Sequence, residues 1–315
     1  MRTLLLLWFF VAPSADTLQV MFWNVENFFD WRNDSTTVSD VEFSAAGERH
    51  WTWKRFQAKA NAFAKALFWV EAETGRLPDI IGLEEVENAF VLRQVLQKTA
   101  LRKLDYKYVH YDSPDHRGID VALLYRTSRL ELLDSKPCHL FSADTVMATR
   151  DILLCEFQRD SAKVAVLVNH HPSKYGGAAE SEPRRRIAVE RLRFLADSLA
   201  AIGIDRIIAG GDFNDTPDNP VFGLLEPALA PMHMDLFRHG LGTIKFDGKW
   251  DLIDHIYVSP ALTPLSLMRI LRIPFLLTRD TVHSGEKPLR TYTGPRHTGG
   301  VSDHLPVLLE VPLPP

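Results

Sequence analysis

The chain has 315 residues, 36 Lys plus Arg against 40 Asp plus Glu, a formal net charge of −4 and a sequence pI of about 6.3. With 46% hydrophobic and 24% charged residues, composition excludes disordered and fibrous classes and supplies enough apolar side chains for a core without metal or disulfide staples. A mildly acidic chain is no general electrostatic trap for nucleic acid, so a nucleic-acid substrate would have to meet a local basic surface.

In chain order, Met1-Arg2-Thr3 precedes a nine-residue apolar run, residues 4–12, and then Ala12-Pro13-Ser14. A short basic start, an apolar centre and small residues at a cleavage point predict a signal peptide over residues 1–14, hence a secreted or periplasmic protein. The run is too short for a membrane span, which needs about 20 residues, so no stable membrane anchor is expected. A buried first strand is the competing reading.

Runs rich in Val, Ile, Leu and aromatics predict strands at 18–23, 79–83, 106–111, 121–125, 152–157, 164–168, 206–209, 252–258 and 305–311. Phe56, Ala60, Phe63, Leu67 and Val70 share one helical face, as do Ala188, Leu192, Leu195, Ala196 and Leu199. No internal repeat or linker tract interrupts residues 15–315, which are therefore read as a single catalytic domain and a monomer. Many strands interleaved irregularly with few helices favour two packed sheets flanked by helices over a doubly wound parallel sheet. Cys138 and Cys155 are spaced so that a hairpin would bring them together as a disulfide, or else they are two buried free thiols.

Charge is uneven. Residues 16–47 hold six carboxylates and one basic residue, Arg32. Arg184-Arg185-Arg186, Arg191 and Arg193 fall on the second helix, where a solvated helix face accounts for them. The loop-rich segment 269–296 carries Arg269, Arg272, Arg279, Lys287, Arg290 and Arg296 against Asp280 and Glu286, and is the better substrate-side surface.

Unusual polar groups stand at predicted strand ends, where a rigid sheet aims them into one cleft. They are Phe22-Trp23-Asn24, Gly82-Leu83-Glu84-Glu85-Val86, Asn169-His170-His171-Pro172-Ser173, Gly210-Gly211-Asp212-Phe213-Asn214-Asp215-Thr216-Pro217, Asp254, and Ser302-Asp303-His304. Singly each has a plain explanation: Asn24 or Asp212 as a turn cap, Glu85 as a surface charge, His170 as a satisfied core histidine. Gly210-Gly211 is no P-loop, since no Gly-Lys-Ser/Thr follows. Oxygen donors dominate and zinc-type spacings are absent, so a hard divalent cation such as Mg2+ fits Glu85 and Asp303 with Asn24 nearby.

Taken in order, LEEV, NHHPS, GGDFND, IDHI and SDHLPV after the first-strand Asn resemble the endonuclease/exonuclease/phosphatase superfamily with its deoxyribonuclease I-like fold, over residues 18–311. The resemblance implies an α/β four-layer sandwich, two mixed β-sheets face to face with helices outside, hydrolysing phosphoesters with Mg2+ or Mn2+. It also implies roles: Glu85 as principal metal ligand with Asn24 and Asp303, Asp212 orienting or deprotonating the attacking water, and Asn214 holding nucleophile and phosphate. His304, backed by Asp254, contacts phosphoryl oxygens or the leaving group, and His170 stabilises growing negative charge. Glu84 and His171 are expected to point away from the cleft. Arg117 reaches a substrate phosphate or pairs with Asp115 or Asp120, and Tyr292 stacks on a base or packs.

A histidine at position 170 resembles the deoxyribonuclease I, sphingomyelinase and inositol-phosphatase branches more than the abasic-site repair branch, which suits a secreted, bacterial-type member. The expected activity is a nuclease, endo- or exonucleolytic, acting on DNA or RNA. The alternative is a phosphatase or sphingomyelinase-like phosphoesterase on a small or lipid phosphoester, for which the apolar loop 271–277 is the candidate lipid contact.

Overall fold

Alternation along the first strand, β1 (Thr17–Phe28), separates two cores. Leu18, Val20 and Phe22 point one way into the space between two sheets, while Met21 and Trp23 point the other way toward a helix. The computed structural model describes residues 17–33, 37–174 and 176–313. The expected signal peptide lies outside the described residues, among which no helix is long and apolar enough to cross a membrane.

The first sheet has the order β11-β12-β1-β2-β4-β3, built from β1, β2 (Ile80–Val86), β3 (Tyr106–His110), β4 (Asp120–Arg126), β11 (Leu267–Ile270) and β12 (Val307–Pro312). The second has the order β9-β10-β8-β7-β6-β5, built from β5 (Glu131–Cys138), β6 (Ile152–Arg159), β7 (Ala162–His170), β8 (Ile207–Asp212), β9 (Ala230–Pro231) and β10 (Asp254–Val258). Each sheet is mixed, with one parallel pair, β1 with β2 and β7 with β8, at its centre. Helix α1 (Trp53–Thr74) covers the first sheet, burying Phe56, Ala60, Phe63, Leu67 and Val70, with Phe63 stacked on Trp23 at 5.6 Å. It ends at Gly75, whose φ of 83° supplies the left-handed cap. Helix α3 (Ala178–Ala201) covers the second sheet with Ala188, Leu192, Leu195, Ala196 and Leu199. Each such large aliphatic or aromatic side chain contributes roughly 1.5–3 kcal/mol on burial, and the result is the expected four-layer sandwich.

Four elements had no counterpart in the periodicity: the short strands β9 and β11, helix α2 (Ala89–Lys98) and strand β5. Helix α2 is started by Asn88, whose side chain accepts from the amides of Phe90 and Val91. Strand β5 is a mostly exposed edge carrying Glu131, Asp134 and Lys136, charges that discourage edge-to-edge pairing and erase the apolar pattern of a strand. The disulfide alternative fails: Cys155 packs between the sheets and Cys138 under α3, on opposite faces of the second sheet, and both are buried free thiols. Loop 271–277 is not an exposed lipid contact either, because Leu271, Ile273 and Leu276 are buried in the core beneath the first sheet.

Within the core between the sheets, one aromatic ring is held especially closely. Phe22 of β1 lies between Gly82 of β2 and Gly210 of β8, and a Cβ at either glycine would stand 2.4 Å from a ring carbon. The glycines preceding Glu84-Glu85 and Asp212 therefore let one ring set the sheet spacing directly below the polar strand ends.

Candidate active site

Parallel pairing brings the C-terminal ends of β1 and β2, and of β7 and β8, to the same end of the sandwich. Antiparallel β10 adds its first residue there, with Asp254 opposite Asp212 in register, and the loop before β12 adds Ser302, Asp303 and His304. Topology thus gathers at one end all six elements that the sequence places apart.

Asp212 is the hub, buried at 2% exposure. Its Oδ2 accepts from the side-chain amides of Asn24 at 3.0 Å and Asn214 at 3.2 Å, and its Oδ1 accepts from the Asn214 backbone amide at 2.8 Å. Two imidazoles flank the same oxygen, His170 Nε2 at 3.5 Å and His304 Nε2 at 3.9 Å. Burial, reinforced by Asp254, raises the Asp212 carboxyl to about 7 against the lowering effect of His304 and the two amides. A carboxyl titrating near neutrality suits a general base.

His304 is fixed at three points. Its Nδ1 donates to Asp254 Oδ2 at 2.9 Å, its carbonyl accepts from the Trp23 indole at 3.0 Å, and its backbone amide donates to Ser302 Oγ, which itself donates to the Asn24 carbonyl. Burial alone would favour the neutral ring, but Asp254, then Asp212 and Asp303, raise its pKa well above the ordinary value, so the ring is an imidazolium at neutral pH. His170 is the opposite case: burial, then the charges of Arg150, Arg117 and His304, hold it neutral. His171 points away, as expected, packing on Phe213 with ring centroids 4.4 Å apart and kept neutral by burial.

The two glutamates of β2 part company through a bulge rather than through simple alternation. The register with β4 shifts between Glu84 and Val86, and Glu85 adopts a left-handed φ of 64° that swings its carboxylate to the cleft. There Glu85 Oε2 accepts from the Asn27 amide at 2.8 Å, and Oε1 lies 4.0 Å from His170 Nε2. Glu84 turns inward between the sheets, wholly buried, with neither carboxyl oxygen hydrogen-bonded among the described residues. Burial and the charges of Asp254 and Asp212 raise its pKa well above normal, so it is held as the neutral acid.

Asp303 is the more exposed acid at the rim and pairs with Arg290 Nη2 at 3.0 Å. Arg290 also reaches Glu26, at 3.0 Å, and the Glu26 carboxylate accepts from the Thr291 amide. Behind them Lys59 is buried, donating to the Glu26 carbonyl and to Thr291 Oγ1. Burial lowers the Lys59 amine to about 8 and raises Glu26 to about 7. This Glu26, Lys59 and Arg290 network escaped the sequence reading, although a signal was there: Lys59 interrupts the apolar face of α1 between Phe56 and Phe63. Glu85 and Asp303 are two carboxylates open to the cleft, the donor type a hard divalent cation takes, while Asn24 turns its amide nitrogen toward Glu85 at 3.4 Å and its amide oxygen accepts from the Glu26 backbone at 2.9 Å. A separate trio, His110, Asp112 and Asp120, has ligand atoms within 4.8 Å of one another, but His110 and Asp120 already bond each other at 3.1 Å.

Arg117 sits at the other rim, a third exposed, 3.6 Å from Asp115 and close enough for its charge to act on His170. Buried Arg150 ties that rim down by donating to Asp115 and to the His171 carbonyl. Arg185, expected on a solvated face, is instead buried and pairs at 3.1 Å with Asp215, bracing the loop that carries Asn214. Its neighbours Arg186 and Arg193 do lie on the outer face, paired with Glu190 and Asp197. Tyr292 corrects the base-stacking alternative: it is 5% exposed, donates its hydroxyl to the Arg49 carbonyl and packs against Phe43, Trp51 and His297, so no ring face is free for a base.

Comparisons with known proteins bear on the fold and the family. Truncated TDP2 of Caenorhabditis elegans has the same fold, with a TM-score of 0.61 at 16% identity over 94% of this chain and 97% of that one. The human Nocturnin catalytic domain matches with a TM-score of 0.59 at 17% identity over 95% of both chains. A mannosyl-6-phosphatase of Bacteroides thetaiotaomicron gives 0.58 at 16% identity, over 93% of this chain and 99% of that one. Protein angel of Drosophila melanogaster is 25% identical over 201 residues, 58% of this chain and 54% of that protein, so the chain spans about half the length of this curated relative. The family model described as Endonuclease/Exonuclease/phosphatase family matches residues 19–312, so the chain belongs to that family.

Proposed function

We propose that the protein is a divalent-metal-dependent phosphodiesterase that hydrolyses the phosphodiester bonds of nucleic acid. The observation that carries the reading is the Asp212 hub: one carboxyl titrating near 7, oriented by two asparagines and flanked by a neutral and a charged imidazole. Asp212 takes the proton from a water positioned by Asn214. The water oxygen bonds to phosphorus as the bond to the leaving oxygen breaks. The His304 imidazolium, kept charged by Asp254, donates to that oxygen, and the His170 ring N–H faces the equatorial oxygens. Preorganised donors of this kind contribute typically about 3 kcal/mol each to the barrier. Asn24, Glu85 and Asp303 would hold Mg2+ or Mn2+, which when bound supplies positive charge to the phosphoryl oxygens.

Arg117 and the basic 279–296 rim support a polyanionic substrate. A fold neighbour, TDP2 of D. rerio, is known in complex with a single-strand DNA product. Burial of loop 271–277 removes the feature that favoured a lipid substrate.

The test is one assay of purified protein with Mg2+ on plasmid and linear DNA, RNA, bis-p-nitrophenyl phosphate, p-nitrophenyl phosphate and sphingomyelin, with Asp212→Ala as control. Nucleic-acid cleavage that vanishes in the variant is the expected result. Turnover of the monoester or sphingomyelin with none on nucleic acid would refute it.

A further inference from the structure

A groove of about 580 Å³ is lined by Asp303 and by short β-hairpins. Its walls come from the hairpin of Ile244–Phe246 with Lys249–Asp251, the hairpin of Leu277–Arg279 with Glu286–Pro288, and the hairpin of Tyr292–Thr293 with Arg296–His297. Most cations lining it are already neutralised. Lys245 pairs with Asp280 at 3.1 Å, Lys287 with the same carboxylate at 3.4 Å, and Arg290 with Glu26 and Asp303. Two are not: Arg279 and Arg296 line the groove, are exposed, and have no carboxylate partner among the described residues. Between the cations stand four threonines, and at the tip of the first hairpin the Phe246 ring is 75% exposed while lining the same groove.

An exposed phenyl ring held on a hairpin costs solvation unless something covers it. Next to two guanidinium groups without a carboxylate partner among the described residues, and in a groove that shares Asp303 with the candidate site, the covering group needs an aromatic face and repeated negative charge. We propose that this groove is a binding channel for a single-stranded polynucleotide, with Phe246 stacking on an unpaired base and Arg279 and Arg296 each holding a backbone phosphate. The proposal rests on the nucleic-acid reading above and narrows it. A duplex does not satisfy it, because duplex bases have no free face for Phe246, and a phosphomonoester or small diester carries too few charges to engage both arginines. Insertion into a lipid surface is the weaker fit: Phe246 faces the groove, and the other strongly exposed apolar side chain nearby, Val282, does not line it.

The experiment uses the full chain with Asp212→Asn as the binding background, in Mg2+. Fluorescently labelled oligonucleotides of increasing length, blunt duplex DNA, and vesicles of phosphatidylcholine with phosphatidylserine are the probes. Phe246→Ala and the double variant Arg279→Ala/Arg296→Ala are compared with Ile202→Ser, an exposed apolar control far from the groove. Phe246→Ala is expected to raise the Kd for a single strand by at least about tenfold, the stacking contribution of one base. The double variant is expected to flatten the slope of log K against log salt by about 1.4, two phosphates at about 0.7 each. In the active background the loss of turnover is expected to grow with oligonucleotide length and to be smallest on bis-p-nitrophenyl phosphate.

Unchanged single-strand binding in both variants, with the parent enzyme still cutting nucleic acid, would overturn the channel and leave the nuclease reading standing. Equal losses on blunt duplex, or a loss confined to vesicles, would also overturn it. A parent enzyme that binds and cuts no nucleic acid would remove both.

Discussion

Replacing Gly210 by alanine tests whether one ring sets the distance between the two halves of the site. The new Cβ would stand 2.4, 2.5 and 2.8 Å from three carbons of the Phe22 ring, against the 3.5–4.0 Å of an ordinary carbon contact, so more than about 1 Å must be recovered. The ring has little room to slide away, because Gly82 approaches its opposite edge equally closely. Overpacking of this kind costs roughly 1–3 kcal/mol. The displacement also separates β8 from β1 and so lengthens the 3.0 Å bond from Asn24 to Asp212 beyond hydrogen-bond range. An ångström of misplacement at a reacting group reduces turnover by up to about 10²-fold. Urea unfolding followed by tryptophan fluorescence, and turnover of bis-p-nitrophenyl phosphate, measure the two effects separately. The double variant Phe22→Leu/Gly210→Ala is expected to recover at least about 1 kcal/mol relative to the sum of the single changes, since the smaller side chain removes the clash. If Gly210→Ala is within 0.5 kcal/mol of wild type, a margin of about the usual scatter for neutral changes, and keeps full turnover, the spacer role is wrong.

Asp212→Ala and His304→Ala should each lower kcat by at least about 10²-fold with the fold intact by circular dichroism, and near-normal rates in either would remove that residue from the chemistry. Exhaustive chelation should abolish turnover and Mg2+ or Mn2+, not Zn2+, should restore it; full activity in chelator would refute the role given to Asn24, Glu85 and Asp303. Burial holds the His233 ring at about 4, below its ordinary 6.5, so the folded state is short of a proton that the unfolded chain binds. Its stabilising contribution is complete above about 6.5 and is lost as pH falls toward 4, at most about 3 kcal/mol. Urea titrations of wild type and His233→Gln across that range should converge toward acid pH; parallel curves would contradict the assignment.

Alternation and helical periodicity made the nine central strands and the two covering helices legible, because each buries a face whose spacing the sequence displays. Their order along the chain, with the residue types at their ends, was enough to name the candidate site. What the sequence did not display are features in which one residue departs from its local pattern. Glu84 and Glu85 part as expected, but the β2 bulge that aims Glu85 is not displayed in the sequence; β5 has no apolar face because it is an edge, and Arg185 is buried where Asp215 arrives from a distant loop. Tyr292 shows the same limit: its residue type suits stacking on a base, and only the tertiary packing around it decides otherwise.

The left-handed backbone at Glu85 has a consequence for the protein's mutational history. A side chain at φ 64° costs on the order of 1 kcal/mol that a glycine would not, and Asn214 at φ 53° adds a second such position in the same site. Glu85→Gly should therefore be more stable than Glu85→Ala, and selection on thermal stability alone would favour dismantling the cleft while leaving the sandwich untouched. A stabilised library of this chain, screened for folding without an activity requirement, is expected to lose Glu85 among the first; its retention there would assign the residue to folding and not to the proposed chemistry.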